Sequence, residues 1–256
     1  MAGILDKFRL DGKVAMVTGS ERGLGRGMSV ALAEAGADIV GVTYPDSALE
    51  TAADVAAVGR RYFHIQANLM KQDRLGEIVD KAVAQYGKID ILVNNAGIIK
   101  RNDALDFTEA EWDDVMNINL KTVFFLSQAV ARRFVAQKTG GKIVSVASML
   151  SFQGGIRVPS YTASKSGVKG ITMLMANEWA KYGINANAIA PGYMATDNTA
   201  QLRADEQRAA DILGRIPAGR WGEPSDLAGA VVFLASNASD YVNGYTIAVD
   251  GGWLAR

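Results

Sequence analysis

Short apolar runs recur along the whole chain, separated by longer stretches in which apolar positions return with the helical period. The runs Val14–Thr18, Asp38–Val42, Tyr62–Ala67, Ile89–Val93, Lys142–Val146, Asn185–Ala190 and Thr246–Val249 predict buried strands. Residues 24–36, 47–59, 71–86, 108–138, 160–182 and 224–235 predict amphipathic helices between them. That alternation implies an α/β protein with a parallel sheet covered by helices on both faces. With right-handed crossovers, the simplest topology is a doubly wound sheet of seven strands. No Pro/Gly/Ser-rich linker and no repeat beyond the alternation interrupts it, so residues 1–256 read as one domain. One interval departs from the rhythm: about thirty residues separate Ala190 from the helix near Pro224, long for a connection in a compact domain. It follows a strand end where open sheets bind ligands, which points to a lid over residues 193–222. A surface insertion with a short amphipathic helix is the alternative.

Composition narrows the function classes. The apolar fraction of 49% is ample for one large core. Lys+Arg and Asp+Glu both total 27, which gives no charge-based reason to expect nucleic acid or an anionic membrane as partner. The chain has no Cys, so disulfides, thiolate catalysis and Cys-based zinc sites are excluded, and with one His no metal site is expected from spacing. The first residues are too charged for a signal peptide, and no apolar run approaches the roughly 18 residues of a membrane helix. A soluble, cytoplasmic protein is the expectation.

The first predicted strand runs directly into Thr18-Gly19-Ser20-Glu21-Arg22-Gly23-Leu24-Gly25, and a helix follows. A Gly-rich turn alone is weak evidence; with a strand before and a helix after, it reads as a dinucleotide cradle. Glycines let the backbone approach a pyrophosphate closely, and the helix start offers free N–H groups. The doubly wound sheet is thereby a Rossmann fold. Farther on, Tyr161-Thr162-Ala163-Ser164-Lys165 puts a Tyr and a Lys on one helix face. A phenol of pKa near 10 is a poor base, and a neighbouring ammonium favours its phenolate. Bringing that pKa to about 7 takes roughly 4 kcal/mol, which Lys165 together with a positive nicotinamide ring is expected to supply. The alternative is a packing Tyr beside a solvated Lys.

The Gly-rich start, Asn94-Asn95-Ala96-Gly97, Ser148, the Tyr161–Lys165 pair and Pro191-Gly192 occur in that order at successive strand ends. In this the chain resembles the short-chain dehydrogenase/reductase family over essentially its whole length. The resemblance implies Tyr161 as the general acid/base, Ser148 as a hydrogen-bond donor to the reacting oxygen, and Lys165 as partner of Tyr161 and of the nicotinamide ribose. It implies Asn119 rather than its neighbour Asn117 as support for a water relay to Lys165. Asn94, Ala96 and Gly97 would line the cofactor, as would Gly19, Glu21, Arg22, Gly23, Leu24, Gly25, Thr43, Asn68, Leu69, Asn95, Pro191, Gly192, Met194 and Thr196. A homotetramer packed through the helices near 108–138 and 160–182 is also implied.

For the cofactor, the resemblance leaves NAD and NADP open. Thr43 stands where the family's NAD-selective Asp is expected, and the first carboxylate, Asp46, comes three residues later. Arg22 matches a basic position of NADPH-using relatives, Glu21 beside it could neutralise or redirect it, and Asn68 replaces another usual Asp. A closer resemblance in 147–161, in Pro191-Gly192-Tyr193-Met194-Ala195-Thr196 and in the ending Asp250–Arg256 is to family members that oxidise deoxy-keto sugar acids in uronate and pectin breakdown, generally with NAD. Such a small-molecule substrate needs a cation for its carboxylate. Arg157 is the first candidate and Arg101 the second, with Gln153 reading a hydroxyl or keto oxygen and Tyr193 lining the pocket. His64 is expected to be structural. Trp112, Trp179 and Trp221 are expected in helices or core, and Trp253 at a pocket or subunit interface. The rivals are a 3-oxoacyl-carrier-protein reductase on the same scaffold and, from another class, a dinucleotide-binding redox sensor without turnover. The complete Ser148–Tyr161–Lys165 set argues against the sensor.

Overall fold

A computed structural model describes residues 3–44 and 48–256. Pro45 and Asp46, and the first residue of the helix predicted from 47, lie outside the described residues. Seven strands form one sheet: β1 (Val14–Thr18), β2 (Asp38–Thr43), β3 (Tyr62–Gln66), β4 (Ile91–Asn94), β5 (Gly141–Val146), β6 (Ile184–Pro191) and β7 (Thr246–Val249). Their order is β3-β2-β1-β4-β5-β6-β7 and every pairing is parallel. This is the doubly wound sheet that the strand–helix alternation predicts. The chain leaves β1 to one side for β2 and to the other for β4, and between them the sheet opens a crevice at its C-terminal edge.

Nine α-helices lie among the described residues: α1 (Gly23–Glu34), α2 (Leu49–Ala57), α3 (Leu75–Tyr86), α4 (Glu109–Met116), α5 (Thr122–Gln137), α6 (Pro159–Trp179), α7 (Ala200–Ala204), α8 (Glu206–Arg215) and α9 (Ala228–Ala235). Strand residues alternate between the two sheet faces. Ala15, Val17, Ile91 and Val93 pack with Met28 and Leu32 of α1 and Val231 and Leu234 of α9. Val14, Met16, Leu92 and Ile143 pack on the other face with Ile78 of α3, Leu126 and Phe134 of α5, and Met175 of α6. Central strands buried on both faces explain why they read as unbroken apolar runs rather than alternating ones.

Three differences from the sequence reading have local causes. The fourth strand begins at Ile91, not Ile89, because the Ile89 backbone pairs with a side chain: its N–H donates to Gln137 Oε1 at 3.1 Å and its carbonyl accepts from Gln137 Nε2 at 2.8 Å. The helix predicted over 108–138 is two helices joined by a π-helical turn, Asn117–Lys121. The long interval after β6 carries α7 and α8, and α8 tucks Ile212 against Met149, Ile216 and Trp253. Among the described residues no helix is long and apolar enough to cross a membrane. None of their His, Asp or Glu side chains form a group of three able to hold a metal ion.

Candidate active site

The crevice is floored by the turn from β1 into α1. Gly19 takes φ +64°, and a Cβ on Gly25 would overlap the Gly19 carbonyl oxygen, so both positions require glycine. The end of β4 locks this turn in place. Asn95 Nδ2 donates to the Thr18 and Gly19 carbonyls at 2.9 and 3.0 Å, and the Asn95 and Ala96 N–H groups both donate to Thr18 Oγ1 at 3.0 Å. Thr18, which the sequence reading left out of the site, is thus the joint between its two halves.

A cavity of about 310 Å³ runs along this edge. Gly19, Glu21, Arg22, Gly23, Leu24, Gly25, Thr43, Asn68, Leu69, Asn95, Ala96, Gly97, Tyr161, Lys165 and Thr196 line it, as expected from the sequence. Tyr44, Ile98, Ile118, Asp197 and Asn198 also line it and carried no recognisable signal. Its size, the bare glycine backbone and a buried Glu21 Oε2 without a hydrogen-bond partner all suit a dinucleotide, whose ribose hydroxyls can donate there.

Other expected residues stand apart. Asn94 does not reach the cavity: its Nδ2 donates to Ser127 and Ser145 hydroxyls at 2.9 and 3.2 Å, because the last residue of β4 points into the core and the next points out. Pro191, Gly192 and Met194 do not line it either. Gly192 N–H is bound to the Val249 carbonyl at 3.0 Å, and Met194 with Tyr193 borders a second depression of about 200 Å³. His64 is structural as expected, its Nε2 being 2.7 Å from Thr43 Oγ1.

Pro159 at the start of α6 sets the helix that presents Tyr161 and Lys165 one turn apart. Burial pushes the Tyr161 hydroxyl above its ordinary pKa; a hydrogen bond with Ser148 and the charge of Arg101 act in the opposite direction. Lys165 is 5% exposed, and burial lowers its pKa to about 8. Its Nζ donates to the Val146 carbonyl at 2.6 Å and lies 5.5 Å from the Tyr161 ring centroid. Arg101 adds a second positive charge that favours the Tyr161 phenolate. Ser148 accepts from the Leu150 N–H at 3.1 Å, and Ser151 Oγ donates to the Lys165 carbonyl at 2.6 Å. Ser151, unforeseen from the sequence, thereby ties the Ser148 turn to α6.

The π turn carries Asn119 into full burial. Asn119 Oδ1 accepts from Ile98 N–H and its Nδ2 donates to the Ile98 carbonyl, both at 2.9 Å, with Ser164 Oγ 3.4 Å away. Asn119 thus pins the loop after β4 to α6. π turns of this kind concentrate at functional sites.

Arg22 lines the cavity, Arg101, Arg157, Ser148 and Gln153 lie outside its lining, and the three arginines differ in their partners. Arg22 Nη1 is 3.0 Å from Asp197 Oδ2, an exposed pair between the Gly-rich turn and the segment after β6. Arg157 sits at φ +64°, a strained conformation for a non-glycine residue, and its Nε is 3.0 Å from Asp103 Oδ1. Arg101 has no carboxylate partner among the described residues; its Nη2 donates to the Asn198 carbonyl at 2.9 Å. Arg157 is thus paired with a carboxylate, and Arg101 among the described residues is not. Gln153 Oε1 accepts from Trp253 Nε1 at 3.1 Å.

Comparisons with known proteins bear on this arrangement. The family model described as Enoyl-(Acyl carrier protein) reductase matches residues 18–254. The chain is 68% identical to the 2-dehydro-3-deoxy-D-gluconate 5-dehydrogenase of Escherichia coli (strain K12), over 99% of this chain and all of that one. It is 66% identical to the enzyme of the same name from Dickeya dadantii (strain 3937), with the same coverage. A crystal structure of a gluconate 5-dehydrogenase from Burkholderia cenocepacia J2315 in complex with NADP and tartrate superposes with a TM-score of 0.94, at 40% identity over 99% of this chain and all of that one. With the ordered motifs, the parallel sheet and these full-length matches in agreement, the chain belongs to the short-chain dehydrogenase/reductase family of nicotinamide-dependent oxidoreductases.

Proposed function

We propose that this chain interconverts the hydroxyl and keto forms at carbon 5 of 2-dehydro-3-deoxy-D-gluconate. The observation that carries the substrate is Arg101, a cation without a carboxylate partner among the described residues, whose Nη2 meets Asn198 at the edge of the cavity and whose charge favours the Tyr161 phenolate. A keto sugar acid has a carboxylate to offer it at one end and a reacting carbinol nearer the other. The identity of 66–68% to relatives of that name supports the same reading.

The bound nicotinamide supplies hydride chemistry; the protein positions the sugar and moves the proton. In the oxidation direction Tyr161 Oη takes the proton of the substrate hydroxyl, and Ser148 Oγ holds the same oxygen by a hydrogen bond. In reduction Tyr161 returns that proton. Lys165 holds the nicotinamide ribose, and Asn119 keeps the loop at Ile98 and the helix of Tyr161 in register. Arg101 orients the carboxylate.

For the cofactor the reading is NAD. Glu21 offers an unpaired buried carboxylate oxygen to ribose hydroxyls, and Asp197 occupies the Arg22 guanidinium that a 2′-phosphate needs. For assembly it is a homotetramer packed through α5 and α6, which leave Phe125, Val135, Met173 and Leu174 exposed on a single chain. The test is to mix purified protein with 2,5-diketo-3-deoxygluconate and follow NADH and NADPH absorbance in parallel. Rapid loss of NADH is expected. Silence with both cofactors, while acyl thioester analogues are reduced, would replace the sugar acid by the carrier-protein reading.

A further inference from the structure

Trp253 is 3% exposed in a 3-10 turn, Trp253–Ala255, and its indole N–H donates to Gln153 Oε1 at 3.1 Å. An indole nitrogen can only donate, whereas an amide side chain can face either way. The bond therefore decides the orientation of Gln153: its oxygen turns to Trp253 and its NH₂ turns away. That NH₂ makes no hydrogen bond to another described residue, and Gln153 is half-buried in the loop that runs from Ser148 to Tyr161.

The indole is itself held from three sides. Its ring meets Tyr193 edge-on at 4.8 Å, Tyr193 meets Trp221 at 5.5 Å, and the Arg215 guanidinium of α8 lies 4.1 Å above it. Ile212 and Ile216 pack in the same cluster. Gln153 thus takes its orientation from a rigid aromatic unit that also seats α8.

We propose that Trp253 is a positioning residue for substrate recognition: it holds Gln153 so that the amide N–H groups donate to an acceptor oxygen of the keto-acid end of the sugar. This rests on the sugar-acid reading above and sharpens it, narrowing the hydroxyl or keto oxygen expected for Gln153 to an acceptor oxygen of the keto-acid end. A keto or carboxylate oxygen satisfies such a donor fully. Loss of the Trp253 bond lets the amide turn over and present its oxygen to the same atom.

The experiment uses Trp253→Phe, which keeps an aromatic ring against Tyr193 and Arg215 and removes the N–H together with the five-membered ring, and Gln153→Glu, which keeps an oxygen for Trp253 and removes the donors. KM for the keto sugar acid, kcat, and the Kd of NADH by fluorescence titration are measured for each. Trp253→Phe is expected to raise KM about tenfold, the scale of one hydrogen bond to a charged or strongly polar oxygen, with kcat within about twofold and NADH affinity unchanged. Gln153→Glu should raise KM further, because a carboxylate then faces an anionic substrate. A purely structural Trp253 gives another pattern: kcat and NADH affinity fall together with stability, and Gln153→Glu is silent. That pattern overturns the proposal, and so does wild-type KM in both variants. Should Trp253→Phe fail to fold, Gln153→Glu decides alone. Wild-type protein that ignores the sugar acid overturns the substrate reading itself, whereas active wild-type protein with a silent Gln153→Glu overturns only the role of this pair.

Discussion

Lys165 places an ammonium where the fold least tolerates one, and the cost is measurable. The residue is 5% exposed, and burial takes its pKa from 10.5 to about 8. At about 1.4 kcal/mol per pKa unit, that depression corresponds to about 3 kcal/mol of stability given up in the charged form. The pKa is lowered on folding, so between pH 8 and 10.5 the unfolded chain holds a proton that the folded chain has released. Stability from this group therefore rises with pH across that window, and the full penalty is present below pH 8. Lys165→Met keeps the aliphatic volume and removes the charge, but deprives the Val146 carbonyl of its 2.6 Å donor, a loss of about 1 kcal/mol. The variant should be inactive yet more stable than wild type by about 2 kcal/mol at pH 7, and the difference should vanish or reverse near pH 10.5. Urea unfolding of both proteins at fixed concentration and several pH values reads this directly. A difference that does not change with pH would show that Lys165 is not a buried cation in the folded protein.

Tyr161→Phe should lower turnover by about a hundredfold or more while NADH affinity, measured by fluorescence titration, stays as in wild type. Arg101→Ala should raise KM for the sugar acid about tenfold and move the pH profile of alcohol oxidation to the alkaline side, since Arg101 holds the Tyr161 hydroxyl down. Arg157→Ala, already paired with Asp103, should leave both quantities near wild type, and steady-state kinetics across pH separates the two arginines. Asp197→Asn should free Arg22 and tighten NADPH two- to fivefold without altering NADH, in keeping with about 1 kcal/mol or less for an exposed ion pair. Equal Kd ratios in wild type and variant would remove Asp197 from cofactor choice.

Most of the scaffold was legible because its signals are local. Buried parallel strands announce themselves as apolar runs, and the Gly19–Gly25 turn needs its glycines whatever else surrounds it. Features that depend on through-space partners were not legible. Nothing in Met116–Leu120 marks a π turn except two asparagines in a helical pattern, yet that turn buries Asn119. Asn94 and Asn95 are adjacent and identical in type, and only strand parity decides which one faces the cofactor cleft. The pairing of Arg157 with Asp103 and the contact of Arg101 with Asn198 were not legible either, since no sequence distance connects those partners. Trp253 lies 100 residues from the amide it orients.

The segment after β6 meets both the Gly-rich turn and the loop after β4 through neighbouring residues. Asp197 reaches the cofactor turn at Arg22, and the carbonyl of Asn198 reaches the loop after β4 at Arg101. Both contacts are exposed and weak, whereas α8 anchors the same segment through Ile212 and Ile216 in a buried cluster with Met149 and Trp253. Each exposed contact is also open to competition: a 2′-phosphate would draw Arg22 from Asp197, and a substrate carboxylate would draw Arg101 from Asn198. Because Asp197 and Asn198 are adjacent, a shift that releases one contact displaces the other. A ligand that drew on one of the two arginines would thereby disturb the partner of the other.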